Sequence, residues 1–87
     1  MERIYKLPLL LEPQSEGGYT ITCPLVPELV TEANTLDEVQ SHVADAVAAL
    51  IEMYQDLDKP LPAALQPLAA SPGTLIWAET LISASAA

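Results

Sequence analysis

Residues 17–40, GGYTITCPLVPELVTEANTLDEVQ, hold two hydrophobic periods in succession, and that succession decides the fold class. Tyr19, Ile21 and Cys23 alternate with Thr20 and Thr22, the period of two of a strand with one buried face. Gly17 and Gly18 stand before it and supply the positive backbone angles that a turn needs. Pro24 and Pro27 break that strand and guide the chain through Leu25 and Val26 to a short third strand, expected over 29–33. Thr35-Leu36-Asp37-Glu38 then announces a helix. The Thr35 hydroxyl is placed to cap first-turn amides while Glu38 reaches back, and Asp37 and Glu38 lie where the helix dipole favours negative charge.

Reading outward, the period changes to three and four. Leu36, Val39, Val43, Ala46, Val47, Leu50, Tyr54 and Leu57 form one apolar stripe, and Ala44, Ala48 and Ile51 widen it, so the helix is expected to touch more than one neighbour. It is expected over 35–58, because Pro60 and Pro62 cannot continue it. Upstream, residues 3–12 (RIYKLPLLLE) read as a strand with Tyr5, Leu7, Leu9 and Leu11 on one face. Pro8 has no amide to donate, so an unpaired side is expected there. The turn 13–18 joins this run to the strand expected over 18–24 as a β-hairpin. Residues 60–73 are rich in Pro, Ala and Leu and suggest an extended or briefly helical crossover. Residues 74–82 (TLIWAETLI) read as a last strand, apolar on both faces. A small monomer struggles to cover both, so Leu75, Ile76, Trp77, Leu81 and Ile82 are expected at an interface in a homo-oligomer, a dimer or a tetramer. The last residues, 83–87, are expected to fray.

Length and charge bound the function. Eighty-seven residues make one small domain, 51% apolar and able to build a single core. Twelve Asp and Glu against three Lys and Arg give a net charge of −9. Such a balance excludes direct binding to nucleic acid phosphates and disfavours anionic membranes, while it favours a basic partner. The sole cysteine, Cys23, cannot form an internal disulfide, and no signal peptide is legible. Prolines interrupt the uncharged stretch 60–78, so no membrane span is expected there. The chain reads as cytoplasmic.

From Leu7 to Asp58 every Lys, Arg, Asp and Glu position is a carboxylate. Asp45, Glu52 and Asp56 fall on the polar side of the helix, with Glu52 and Asp56 at a like-charged spacing of four that costs helix stability. They read either as a solvated face or as a surface complementary to a basic protein, and Glu12 and Glu16 beside the hairpin turn join the same candidate set. No catalytic apparatus is legible. The first strand has no acid between Glu2 and Glu12 to converge on an ion with those of the helix, so neither a metal site nor a cofactor is expected. His42, the only histidine, reads as a solvated side chain, and Cys23 as a packed small hydrophobe. Without a Cys–His or Ser–His–Asp set the chain reads as no enzyme. Tyr54 and Trp77 read as core or interface anchors.

The ordered set Glu12, Gly17-Gly18-Tyr19, Pro24, Pro27 and Thr35-Leu36-Asp37-Glu38, with Lys59-Pro60-Leu61-Pro62 after the helix, resembles the HicB family of antitoxin-like proteins over about residues 3–62. The resemblance implies a β-β-β-α-β unit, an α+β fold in which one long helix packs on one face of a small antiparallel sheet, described for the family as partial RNase H-like without the nuclease site. It also implies a non-enzymatic role: masking HicA, a small basic toxin that cleaves messenger RNA. Two departures stand out. Glu28-Leu29 replaces the family's common Gly-Cys, and Leu25 stands where Asp is common. The family's usual DNA-binding segment is not expected in this chain, which reads as a single HicB-like domain over 1–87. The alternative expectation is an orphan homo-oligomeric HicB-like domain with no remaining toxin partner.

Overall fold

A computed structural model describes residues 3–69, 71–82 and 84–85. Three strands, β1 (Leu10–Pro13), β2 (Tyr19–Cys23) and β3 (Val26–Ala33), form an antiparallel sheet in that order. A 3-10 turn at Leu36–Glu38 runs into the helix α1 (Val39–Asp56), and a second 3-10 turn follows at Ala63–Leu65. The α+β class, with one long helix against a small antiparallel sheet, is as the two periods imply.

The first hairpin closes through glycine. Gly17 and Gly18 have φ of 99° and 80°, and the Gln14 amide donates to the Gly18 carbonyl at 3.0 Å. A Cβ on Gly18 would stand 3.0 Å from the Ala33 carbonyl oxygen, so the turn needs glycine there for space as well as for angle.

β1 is shorter than the strand expected over 3–12. Its pairing of Leu10 with Thr22, continued two residues, sets Pro8 opposite Pro24. Neither proline carries an amide hydrogen, so the ladder stops. The alternation nevertheless persists through residues 3–9: Tyr5, Leu7 and Leu9 are half-buried on the core, while Ile4, Lys6 and Pro8 are exposed.

β3 is longer than the strand expected over 29–33 and runs through Pro27. Thr22 pairs with Val30 but Cys23 pairs with Val26, so β3 carries three extra residues, Pro27, Glu28 and Leu29, in a bulge. Pro27 is tolerated because β3 is an edge strand and is irregular at that point. The bulge changes the phase of alternation: Val26 is buried before it, Leu29 within it and Ala33 after it.

The helix is also shorter than 35–58, and the expected capping box forms only in part. Thr35 is extended and makes no side-chain cap, while the Glu38 carboxylate accepts from the Asn34 amide at 3.4 Å, one residue earlier than expected. At the other end Asp58 takes φ 53°, and the Lys59 amide reaches the Tyr54 carbonyl at 3.0 Å, closing the last turn. Val39, Val43 and Val47 are buried against β3, whereas Leu36 and Leu57, the ends of the expected stripe, are exposed. Ala44 and Ala48 are exposed rather than buried in a second packing face. Leu65, fully buried, pins the crossover on the core beside Ile21, Val26 and Leu29.

Residues 74–82 form no strand. They run without regular structure, and Leu75 is 94% and Trp77 85% exposed. The expected last strand is thus absent, since β-forming composition selects extended backbone but cannot supply a pairing partner. Of the tail 83–87, only residues 84–85 lie within the described part.

Ile21 and Val30 lie on opposite faces of the sheet, one fully buried and the other 60% exposed. Ile21→Ala is therefore expected to cost about 2–5 kcal/mol, whereas Val30→Ala should cost under about 1 kcal/mol. Urea denaturation of both variants checks this, and equal losses would contradict the face assignment.

Candidate functional site

The sheet has one covered face. Helix α1 and Leu65 lie over Ile21 and Leu29, and the opposite face shows two cross-strand rows, Leu10–Thr22–Val30 and Glu12–Thr20–Glu32. Leu10 and Val30 are each 60% exposed. Glu12 and Glu32 flank Thr20 on the same face, an acidic pair that sequence reading missed. Counting the register outward from the glycine turn brings Glu12 opposite Thr20, but Glu32 reaches Thr20 only because of the bulge in β3.

The candidate acids divide into two places. Asp45, Glu52 and Asp56 lie on the face of α1 opposite Val39, Val43 and Val47, at angles that differ by about 40° on a 100° helical wheel. All three are exposed, and none takes part in an ion pair or side-chain hydrogen bond among the described residues. Glu12 and Glu16 stand at the β1–β2 turn, also exposed. Gln14 Nε2 donates to a Glu12 carboxylate oxygen at 3.2 Å, and the Ser15 hydroxyl donates to Glu16 at 3.4 Å.

The helix set is itself spread along α1. β3 ends at Ala33, paired with Tyr19 at the hairpin end of the sheet, and α1 follows from there. The contact of Tyr54 with Glu28 fixes its other end near the Pro24-Leu25 turn. Eighteen residues at about 1.5 Å each separate those ends by roughly 27 Å. Glu52 and Asp56 thus lie towards the far end of α1, while Asp45 is six residues from its start.

His42 is not simply solvated. It is half-buried, its Nδ1 lies against the Glu32 carbonyl on β3, and its Nε2 is 3.7 Å from a Glu38 carboxylate oxygen. Together with the bond from Asn34 to Glu38, this contact occupies backbone groups of the β3 edge with helix side chains. Cys23 is buried and free, packed with the core as expected. Among the described residues no three His, Cys, Asp or Glu side chains converge as a metal set, and no helix is long and apolar enough to cross a membrane. Leu75, Ile76, Trp77, Leu81 and Ile82 are all exposed.

Glu28, one of the departures from the resembled pattern, has a defined contact. The Tyr54 hydroxyl donates to its carboxylate. That bond, with one from the backbone amide of Glu28 and a smaller contribution from the charge of Lys59, holds the Glu28 carboxyl below its ordinary 4.5 against the opposing effect of desolvation. The same bond raises Tyr54 above its ordinary 10.0, and desolvation and the charge of Glu28 add to the rise.

No family model matches the chain. Over 59 residues it is 39% identical to a protein named Antitoxin HicB 1 from Photorhabdus laumondii, a match that covers 66% of this chain and 38% of that protein. Over 61 residues it is 28% identical to a UPF0150 protein from Synechocystis, covering 70% of this chain and 77% of that one. The chain thus spans well under half the length of the Photorhabdus relative. These matches bear out the HicB-like resemblance carried by the hairpin and the helix start.

A depressed carboxyl stabilises the fold above its unfolded value, and that contribution is lost as pH falls through the folded value. A raised phenol contributes below its unfolded value, and its part is lost as pH rises through the folded one. Tyr54→Phe is expected to return the Glu28 carboxyl towards 4.5 in a carboxyl-carbon NMR titration. Its stability deficit relative to the parent should narrow once pH falls below the Glu28 value. An unmoved Glu28 titration would refute the contact.

Proposed function

We propose that this HicB-like chain is a non-enzymatic antitoxin domain that binds and masks a small basic toxin acting on RNA, of the HicA kind. The observation that carries this reading is the 39% identity to a protein named as a HicB antitoxin. Charge supports it: the long helix presents Asp45, Glu52 and Asp56 without an ion pair among the described residues, and the open sheet face presents Glu12 and Glu32 around Thr20.

The mechanism is occlusion. Unpaired carboxylates on an acidic chain draw a cationic partner in by long-range attraction, and they take the positions that RNA phosphates would otherwise occupy on it. Association is then fast and salt-sensitive, while short-range packing sets the lifetime of the complex. Leu10 and Val30, exposed in the row next to Glu12 and Glu32, supply apolar surface for that packing. The masking step transfers no group and needs no cofactor or metal from this chain, and it takes place in the cytoplasm, where messenger RNA is cleaved.

Two neutralised variants test the reading against the cognate basic toxin. One carries Asp45→Asn, Glu52→Gln and Asp56→Asn, and the other Glu12→Gln, Glu16→Gln and Glu32→Gln. Each set lies on an exposed surface, so each variant should fold. The association rate, measured by stopped flow, should fall about tenfold for the set that faces the toxin, and its salt dependence should flatten. Rates unchanged in both variants and insensitive to salt would reject an electrostatic mask.

A further inference from the structure

A concavity of about 720 Å³ lies between the extended segment 3–9, one flank of α1 and residues 76–79. Its size falls within the roughly 300–1,000 Å³ of pockets that take drug-sized molecules. The helix lines it from Gln40 to Ile51, a wall roughly 16 Å long at about 1.5 Å per residue. That wall is polar only at Gln40, and Tyr5, Leu7 and Leu9 line the concavity from segment 3–9. Its length suits a hydrocarbon chain better than a compact ring.

The margins are tied while the space between stays open. The Leu68 amide donates to the Ile4 carbonyl at 2.8 Å, fixing the crossover to segment 3–9. Gln40 Nε2 donates to the Thr80 hydroxyl at 3.0 Å, fixing the segment that carries Ile76 and Trp77 to α1. Trp77 lines the concavity yet remains 85% exposed, so its ring has apolar cover still to gain.

Charge selects the head group. Arg3 and Lys6, two of the three Lys and Arg of the chain, line the concavity, and neither has a carboxylate within ion-pair distance among the described residues. From Leu7 to Asp58 the chain has only carboxylates at its Lys, Arg, Asp and Glu positions, so this apolar space is where its cations gather. A guanidinium beside an ammonium suits a carboxylate, which the Arg fork can grip with two parallel hydrogen bonds. Glu79 also lines the space, and the chain carries a net charge of −9. Both penalise a second negative charge on the ligand, so a carboxylate monoanion is favoured over a phosphate dianion.

We propose that this concavity binds a medium-chain aliphatic carboxylate taken up as a free monomer, its chain along Ala44, Ala48 and Ile51 and its head group at Arg3 and Lys6. Ile76 and Trp77 then cover the chain from the far side. The site uses none of the acids assigned to toxin binding, so its failure leaves that reading as it stands.

Decanoate, added to the full chain below its micelle-forming concentration, should shift the emission of Trp77, the only tryptophan, saturably to the blue. Calorimetry should give one ligand per chain, with affinity rising about fourfold per methylene from hexanoate to decanoate. Arg3→Gln with Lys6→Gln should weaken binding about tenfold or more, whereas Glu79→Gln should tighten it. Ala48→Phe, at an exposed helix position, should remove binding by filling the space while the circular dichroism stays that of the parent. Decyltrimethylammonium, with the same chain and a cationic head, should bind about tenfold more weakly or not at all. No saturable binding of decanoate to the parent chain, or equal affinity for the two head groups, overturns the proposal. So does a decanoate affinity that drops as the chain concentration rises, because a second copy would then hold the concavity.

Discussion

The bulge that puts Leu29 in the core governs what the rest of the structure can do. Strict alternation from Val26 would turn Glu28 and Val30 inward and leave Leu29 outside. Three extra residues on β3 shift the phase, so Leu29 joins Ile21, Val26 and Leu65 as fully buried side chains. The carboxylate of Glu28 is thereby turned out, where the hydroxyl of Tyr54 meets it. One irregularity thus decides which side chain is core, lets an edge strand keep a proline, and provides the polar contact near the end of α1.

Legibility in the sequence followed the physics of each element. Alternation is local, and Tyr5, Leu7, Leu9, Leu11 and Ile21 turn inward where the period of two places them. The helical stripe was readable for the same reason. What failed was non-local. The end of β1 depends on Pro8 meeting Pro24 across the ladder, and neither residue alone announces that pairing. The bulge in β3 inserts residues whose composition is that of an ordinary strand. Thr35 does not close the capping box because the first turn tightens into 3-10 geometry, moving the Glu38 carboxylate back to the Asn34 amide. Among the candidate acids, the helix triad was legible from its spacing, but the Glu12–Glu32 pair required the register between strands.

The electrostatics separate from the fold. Among the described residues the one ion-pair contact is that of His42 with Glu38. No acid is held in the core, and no buried polar side-chain atom lacks a partner there. The carboxylates therefore contribute little to stability, and a like-charged spacing such as that of Glu52 and Asp56 works slightly against it. Surface charge that does not serve the fold is free to serve solubility or association, and its sign fixes the sign of a partner.

The same economy bears on the apolar residues beyond the crossover. Among the described residues nine hydrophobic side chains are buried, a small core for 87 residues, and small domains bury a smaller share of their surface than large ones do. Leaving Leu75 and Trp77 in water forgoes apolar burial worth about 1.5–3 kcal/mol for each such side chain. Ordering nine more residues on the same chain would cost about 1–2 kcal/mol apiece in backbone entropy. A segment apolar on both faces needs cover from two directions, and a single sheet edge supplies only one of them.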